Sequence, residues 1–314
     1  MTFKFWCVNN CCITRFIFVL FLFNFKTIHI LYLMSKIMKD DDNKKFYALI
    51  LGASSGFGEA IALKLAEDGF NIIGVHLDRQ VTMPHVEEIK SKIKAFGVDH
   101  IFYNGNAADS KKQEEITNEL KERFRGEAKV KVLVHSLAFG SLKPFISENG
   151  EQTITKAQME MTVDVMANSL VYWTQYLVKN NLLARKSRIF AMTSSGGHTV
   201  IPTYGAVSAA KATLESHVRQ LSEELGYLEI GVNSIMAGVT DTPALRKIPG
   251  NVPMMDVARR KNPRARLTTP EDVAKIVSLL CRDGGEWVSG GIIHADGGED
   301  VVSFVGQGKK SEDF

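Results

Sequence analysis

The chain has 314 residues, 23% of them charged and 45% hydrophobic, a mixture that supports a buried core and excludes disordered, collagen-like and low-complexity classes. Its formal net charge of +3 is small for that length and gives no reason to expect nucleic acid as a partner. Cys7, Cys11 and Cys12 crowd the start and only Cys281 lies elsewhere, so no disulfide framework or cysteine metal site can be drawn, and the pattern suits a reducing, cytoplasmic compartment.

The first notable segment, FIFVLFLFNFKTIHILYLM from Phe16 to Met34, is strongly apolar but interrupted by Asn24, Lys26 and His29. It has no small-residue cleavage site, and its unbroken apolar core is shorter than the roughly 20 residues of a spanning helix. Met34 is followed by a polar lead and then at once by a strand-like run. Residues 1–44 therefore read as an extension, a mis-assigned start in preference to an anchor, and no membrane role is expected.

From Phe46 onward, FYALIL, NIIGVHL, HIFYN, VKVLVHS, SRIFAMTS, IGVNSIM and GGIIHAD read as strands. The segments GEAIALKLAEDG, HVEEIKSKIKAFG, KKQEEITNELKERF, MTVDVMANSLVYWTQYLVKN and KATLESHVRQLSEELG between them have helical period. This alternation predicts an α/β protein with a doubly wound parallel sheet of Rossmann type, flanked by helices. No linker or repeat divides it, so a single domain over 45–303 is expected, followed by a polar tail at 304–314.

Directly after the first strand stands LGASSGFGEA, in which Gly52, Gly56 and Gly58 frame Ser54, Ser55 and Phe57 at the mouth of a helix. Glycine lets the backbone turn tightly and approach a pyrophosphate, while the helix N-terminus supplies free N–H groups and the positive end of its dipole. About 20 residues on, where an acidic residue would select NAD, the chain reads VHLDRQ. Asp78 can bond a ribose and Arg79 can pair with a 2′-phosphate. The balance favours NADPH, with NADH as the alternative.

Further along, VHSLAFG, IPTYGAVSAAK, NSIMAGVTDT and HADGG join the glycine loop in a pattern that resembles the short-chain dehydrogenase/reductase superfamily from about Phe46 to Val302. Most of that superfamily places a tyrosine four residues before a lysine, a position held here by Val207. Tyr204 instead precedes Lys211 by seven residues, which resembles the enoyl-acyl-carrier-protein reductases. On a helix, residues seven apart share a face but lie ~10 Å apart along the axis, against ~6 Å for a gap of four. A ketone reductase must meet an oxygen one bond from the hydride acceptor, whereas in an enoyl thioester the charged oxygen is three bonds away. A displaced phenol fits the longer substrate.

The resemblance implies that Tyr204 hydrogen-bonds the developing enolate, and that Lys211 binds the nicotinamide ribose and lowers the phenol's pKa. Met166 stands where many members carry an active-site asparagine, which disfavours a general ketone reductase. Ser194 occupies the place of a second tyrosine in NADH-dependent enoyl reductases, so the chain is more similar to the NADPH-dependent type III branch, where serine would orient the thioester oxygen. By position, Asn106 and Ala107 imply adenine contacts, Ser136, Leu137 and Ala138 underlie the ribose, and Gly238, Val239 and Thr242 meet the nicotinamide carboxamide and phosphates.

The run PALRKIPGNVPMMDVARRKNPRARL after Thr242 reads as a flap over an acyl chain, with Leu245, Ile248, Met254, Met255 and Val257 as its lining. Its cations, Arg246, Lys247, Arg259, Arg260, Lys261, Arg264 and Arg266, face one acid, Asp256, and form a patch suited to an acidic acyl carrier protein. His135 and His198 belong to no ligand-spaced cluster, and no metal is expected. The resemblance implies a homotetramer acting on enoyl thioesters in fatty-acid synthesis. A carbonyl reductase of the 3-ketoacyl type, a reductase of another activated alkene, and a non-catalytic nucleotide-binding module are the alternatives.

Overall fold

Seven parallel strands form one sheet in the order β3-β2-β1-β4-β5-β6-β7, in a computed structural model that describes residues 45–148 and 153–303. The extension at 1–44 and the tail at 304–314 lie outside the described residues. The strands are β1 (Lys45–Leu51), β2 (Asn71–His76), β3 (His100–Asn104), β4 (Ala128–His135), β5 (Leu183–Thr193), β6 (Gly231–Ala237) and β7 (Ile292–Ala295). Every adjacent pair is parallel, so each connection must cross a face of the sheet.

Those crossings leave the sheet between two apolar layers. Tyr47, Leu49 and Leu51 of β1 join one core and Ala48 and Ile50 the other, the period of two that places successive side chains on opposite faces. Helices α1 (Gly56–Glu67), α2 (Met83–Ala95) and α8 (Pro270–Leu280) cover one face. On the other face pack α3 (Ser110–Phe124), α5 (Ser169–Lys179) and α6 (Gly205–Glu224). With both faces covered, β1, β2 and β6 are buried almost end to end, as central parallel strands are.

Helix starts are set locally. Asp109 accepts the Lys111 amide at 2.9 Å ahead of α3, and Thr155 with Gln158 forms a reciprocal capping box at α4 (Lys156–Val163). Thr269 and Asp272 repeat that box at α8, where Pro270 occupies the first turn. The helix expected from Met161 opens earlier, at Lys156, and is broken by a π-helical turn at Asp164–Asn168 before α5 begins. There Ser169 Oγ bonds the Val165 carbonyl at 2.8 Å, and His217 Nε2 meets Asn168 Oδ1 at 3.0 Å. No helix among the described residues is long and apolar enough to cross a membrane.

The sheet reverses its winding between β1 and β4, and the carboxyl ends of those strands open a crevice. Trp173 anchors the floor of that end from α5: it is fully buried, and its indole N–H donates to the Ala107 carbonyl at 2.7 Å, beside a second donor from Gln113 Nε2 at 2.8 Å. Replacing Trp173 by alanine should cost about 3–5 kcal/mol through the cavity it leaves, and by phenylalanine about 1–2 kcal/mol, since Gln113 still serves the carbonyl. Urea denaturation of the two variants beside the parent measures the difference.

Candidate active site

Two cavities of about 380 Å³ and about 320 Å³ occupy the crevice and share Phe57, Ser136, Leu137, Ala138, Phe139, Thr242, Ala244 and Lys247, so they form one cleft. The larger begins at the loop between β1 and α1. Gly52 has φ +90°, and a Cβ there would lie 2.5 Å from the Ser136 carbonyl oxygen. A Cβ on Gly58 would lie 2.0 Å from the Gly52 carbonyl oxygen, so this glycine lets α1 close onto the loop instead of lining the cavity. Ser55 at the N-cap makes no side-chain cap bond, which leaves the α1 N-terminus facing the cavity without a side-chain acceptor. This cradle fits a dinucleotide pyrophosphate.

Gly52, Ser54, Ser55, Gly56, Phe57, Asn106, Ala107, Ser136, Leu137, Ala138 and Thr242 all line that cavity. Asp78 and Arg79 do not; His76 and Leu77 take their place at the end of β2. The Asp78 carboxylate turns back toward the glycine loop. Burial by itself would raise its pKa, but hydrogen bonds from Ser54, Thr82 and His76, the last at 2.9 Å, outweigh burial and hold it below the usual carboxylate range. Its backbone is fixed as well, by paired bonds to the Asn104 side chain at 3.0 and 2.9 Å. Arg79 is exposed.

The smaller cavity brings together Ser194, Tyr204, Lys211, Gly238 and Val239 with Met166, Ile201, Val207 and Leu142. Tyr204 is the N-cap of α6 and not a residue inside it: its amide donates to the Ile201 carbonyl at 3.1 Å, and its carbonyl accepts the Ser208 amide at 2.8 Å. The ring rests against Gly196, where a Cβ would come 2.5 Å from Cε1. Burial raises the phenol above its ordinary value, and Ser194 beside it opposes this only in part. Ser194 Oγ is itself buried without a regularly shaped hydrogen bond.

Lys211 is buried within α6 and its Nζ donates to the Met192 carbonyl at 2.6 Å. Desolvation brings its pKa down to about 8, with Glu215 pulling the other way. The sequence suggested that this ammonium would depress the phenol. The structure corrects that: the phenol is raised by burial, with no lowering from Lys211.

Other expectations divide. Leu245, Ile248 and Met254 line the smaller cavity, whereas Met255 does not and Val257 is 40% exposed. The flap carries a 3-10 turn at Leu245–Lys247 and helix α7 (Asn251–Lys261). Its cations face more acid than the run itself contains: Asp241 holds Arg246 through two bonds at 2.8 and 3.1 Å, Asp256 meets Arg260 at 2.7 Å, and Asp272 clamps Arg266 at 2.5 and 3.0 Å. His135 is fully buried against Ser169 Oγ at 2.8 Å, its pKa brought down to about 3 by burial and then by Lys211, and His198 pairs with Asp300 at 3.1 Å. Among the described residues no three His, Cys, Asp or Glu side chains gather as metal ligands. Leu77 and the role of Lys247 on the cleft wall were missed, because neither carries a motif of its own.

Comparison with known proteins places this geometry among relatives. A family model described as enoyl-(acyl carrier protein) reductase matches residues 52–299. The uncharacterized oxidoreductase YjdA of Bacillus subtilis (strain 168) is 28% identical over 255 residues, covering 80% of this chain and 95% of its own. The NADH enoyl-[acyl-carrier-protein] reductase FabI of Aquifex aeolicus (strain VF5) is 27% identical over 261 residues, covering 83% and 93%. In fold, the chain is similar to a 3-oxoacyl-[acyl-carrier protein] reductase from Brucella melitensis in complex with NAD, with a TM-score of 0.72 at 22% identity over 83% of this chain and 99% of that one.

The depressed Lys211 pKa has a consequence for stability. A fall from 10.5 to about 8 means the unfolded chain binds more protons between those values, so stability rises with pH across that window and the full cost of burying the ammonium is present below about pH 8. That cost is roughly 3 kcal/mol, and freeing the Met192 carbonyl would return about 1–2 kcal/mol of it as a new penalty. Lys211→Met is therefore expected to stabilise the cofactor-free protein by about 1–2 kcal/mol at pH 7, with the advantage shrinking toward pH 10. Urea denaturation at both pH values checks it.

Proposed function

Since the chain belongs to the short-chain dehydrogenase/reductase superfamily and is an NAD(P)H-dependent oxidoreductase, we propose that it reduces the carbon–carbon double bond of enoyl thioesters, with NADPH as its reductant. The observation that carries this reading is the setting of Tyr204. It caps α6 seven residues before Lys211, and its phenol shares an apolar cavity with Ser194 and with Met166 in place of a polar relay residue.

When bound, the nicotinamide supplies the hydride. The protein's part is to hold the thioester and stabilise the charge that develops on its oxygen. A phenol whose pKa is raised by burial remains protonated at neutral pH, and so serves as a hydrogen-bond donor to that oxygen. Ser194 Oγ, buried beside the phenol, is a second hydroxyl donor on the same side. Lys211 spends one N–H on the Met192 carbonyl and keeps two for ribose hydroxyls. Met166, Ile201, Val207, Ile248 and Met254 give the acyl chain an apolar, water-excluding wall.

The preference for NADPH is supported by the end of β2. Asp78 is engaged with Ser54, Thr82 and His76 and is absent from the cavity wall, so no carboxylate there opposes a 2′-phosphate, while Arg79 is exposed beside it. The reading extends to an acidic acyl carrier protein meeting the flap cations, to a homotetramer and to a cytoplasmic setting in fatty-acid synthesis.

Purified protein should oxidise NADPH with crotonyl and longer enoyl thioesters and leave acetoacetyl thioester nearly untouched; turnover of the keto substrate alone would reject the proposal. Tyr204→Phe is expected to lower kcat by roughly 10²–10³ while changing NADPH affinity less than about twofold, since the phenol stabilises charge that is absent before reaction. Steady-state kinetics with fluorescence titration of the cofactor separates the two effects.

A further inference from the structure

Resting on the reading of the larger cavity as a dinucleotide site, we propose that Lys247, on the run that follows Thr242, is the side-chain cation that receives the cofactor's diphosphate. Three observations lead there. Lys247 lines both cavities, and no carboxylate lines either of them. It is the one lysine or arginine among the described residues that lines the nucleotide cavity. Among the described residues it has no ion-pair partner, whereas its neighbour Arg246 is held by both oxygens of Asp241.

The glycine loop supplies backbone donors but no side-chain charge: Ser54, Ser55 and Phe57 are neutral, and Lys211 directs a donor to the Met192 carbonyl. A diphosphate carries charge that a neutral cradle only partly compensates, and a mobile ammonium at the lip completes it. The root of the flap already touches the cradle, with Thr242 Cγ2 3.4 Å from where a Gly56 Cβ would lie. The turn that bears Lys247 also bears Leu245, and Ile248 follows it, both on the acyl wall.

The same chemistry, a phosphate anion on a lysine, could be met by the phosphorylated arm of a coenzyme A thioester, and the test distinguishes the two. Fluorescence and calorimetric titrations would measure NADPH, ADP and adenosine binding to the parent, Lys247→Gln and Lys247→Arg proteins at low and high salt. The proposal expects Lys247→Gln to weaken NADPH and ADP by about three- to tenfold at low salt, with adenosine unchanged, arginine restoring most of the affinity, and the difference shrinking at high salt. Unchanged ADP binding, or equal losses for ADP and adenosine, overturns it. A rise in KM for a coenzyme A thioester but not for its phosphate-free pantetheine analogue, with cofactor affinity intact, assigns Lys247 to the substrate and also overturns it. If the parent binds neither NADPH nor ADP, the dinucleotide reading falls and takes this proposal with it.

Discussion

The Lys211 ammonium is buried in α6 and bonded to the end of β5 through the Met192 carbonyl. A charge in that position is unfavourable unless an acceptor is fixed for it, and here the acceptor belongs to the strand whose end leads into Ser194. One bond thus ties helix, strand end and cavity floor together. Because α6 is held at Lys211, its N-terminus is held too, and the phenol of Tyr204 stands at a fixed height above the crevice, against Gly196. The site's dimensions follow from that height.

Electrostatics and packing divide the labour between the two halves of the cleft. On the nucleotide side, close backbone approach at Gly52 and Gly58 and the unfilled helix N-terminus suit an anion. In the smaller cavity, apolar walls surround a phenol raised by burial, the Ser194 hydroxyl beside it, and a lysine whose pKa burial brings down to about 8. Met166 sits on a π-helical turn between α4 and α5, so the place of a polar relay is filled by a thioether.

Much of this was legible in the residues. The strand ends fall close to where apolar runs give way to glycine and polar turns, because burial on both faces writes itself directly into segments such as NIIGVH and FYALIL. The glycine loop, Ser136 to Ala138, Ser194, Tyr204, Lys211 and Gly238 line the cleft because parallel topology delivers all their strand ends to one edge. What stayed hidden depends on partners distant in sequence. Asp78 is turned away by Ser54, and Arg246 and Arg266 are neutralised by Asp241 and Asp272, outside the run in which the cations were counted. The direction of the phenol's pKa depends on desolvation, which no spacing rule contains. The break at Asp164 has no proline or glycine to announce it.

The most direct measurement follows the label rather than the rate. Protein given equal crotonyl and acetoacetyl thioesters with NADPH carrying deuterium at the transferred position should yield butyryl thioester labelled at its β-carbon by NMR. Label found instead on the carbinol carbon of a 3-hydroxybutyryl product, with the crotonyl thioester left unchanged, would contradict the placement of Tyr204 as a donor to an enolate.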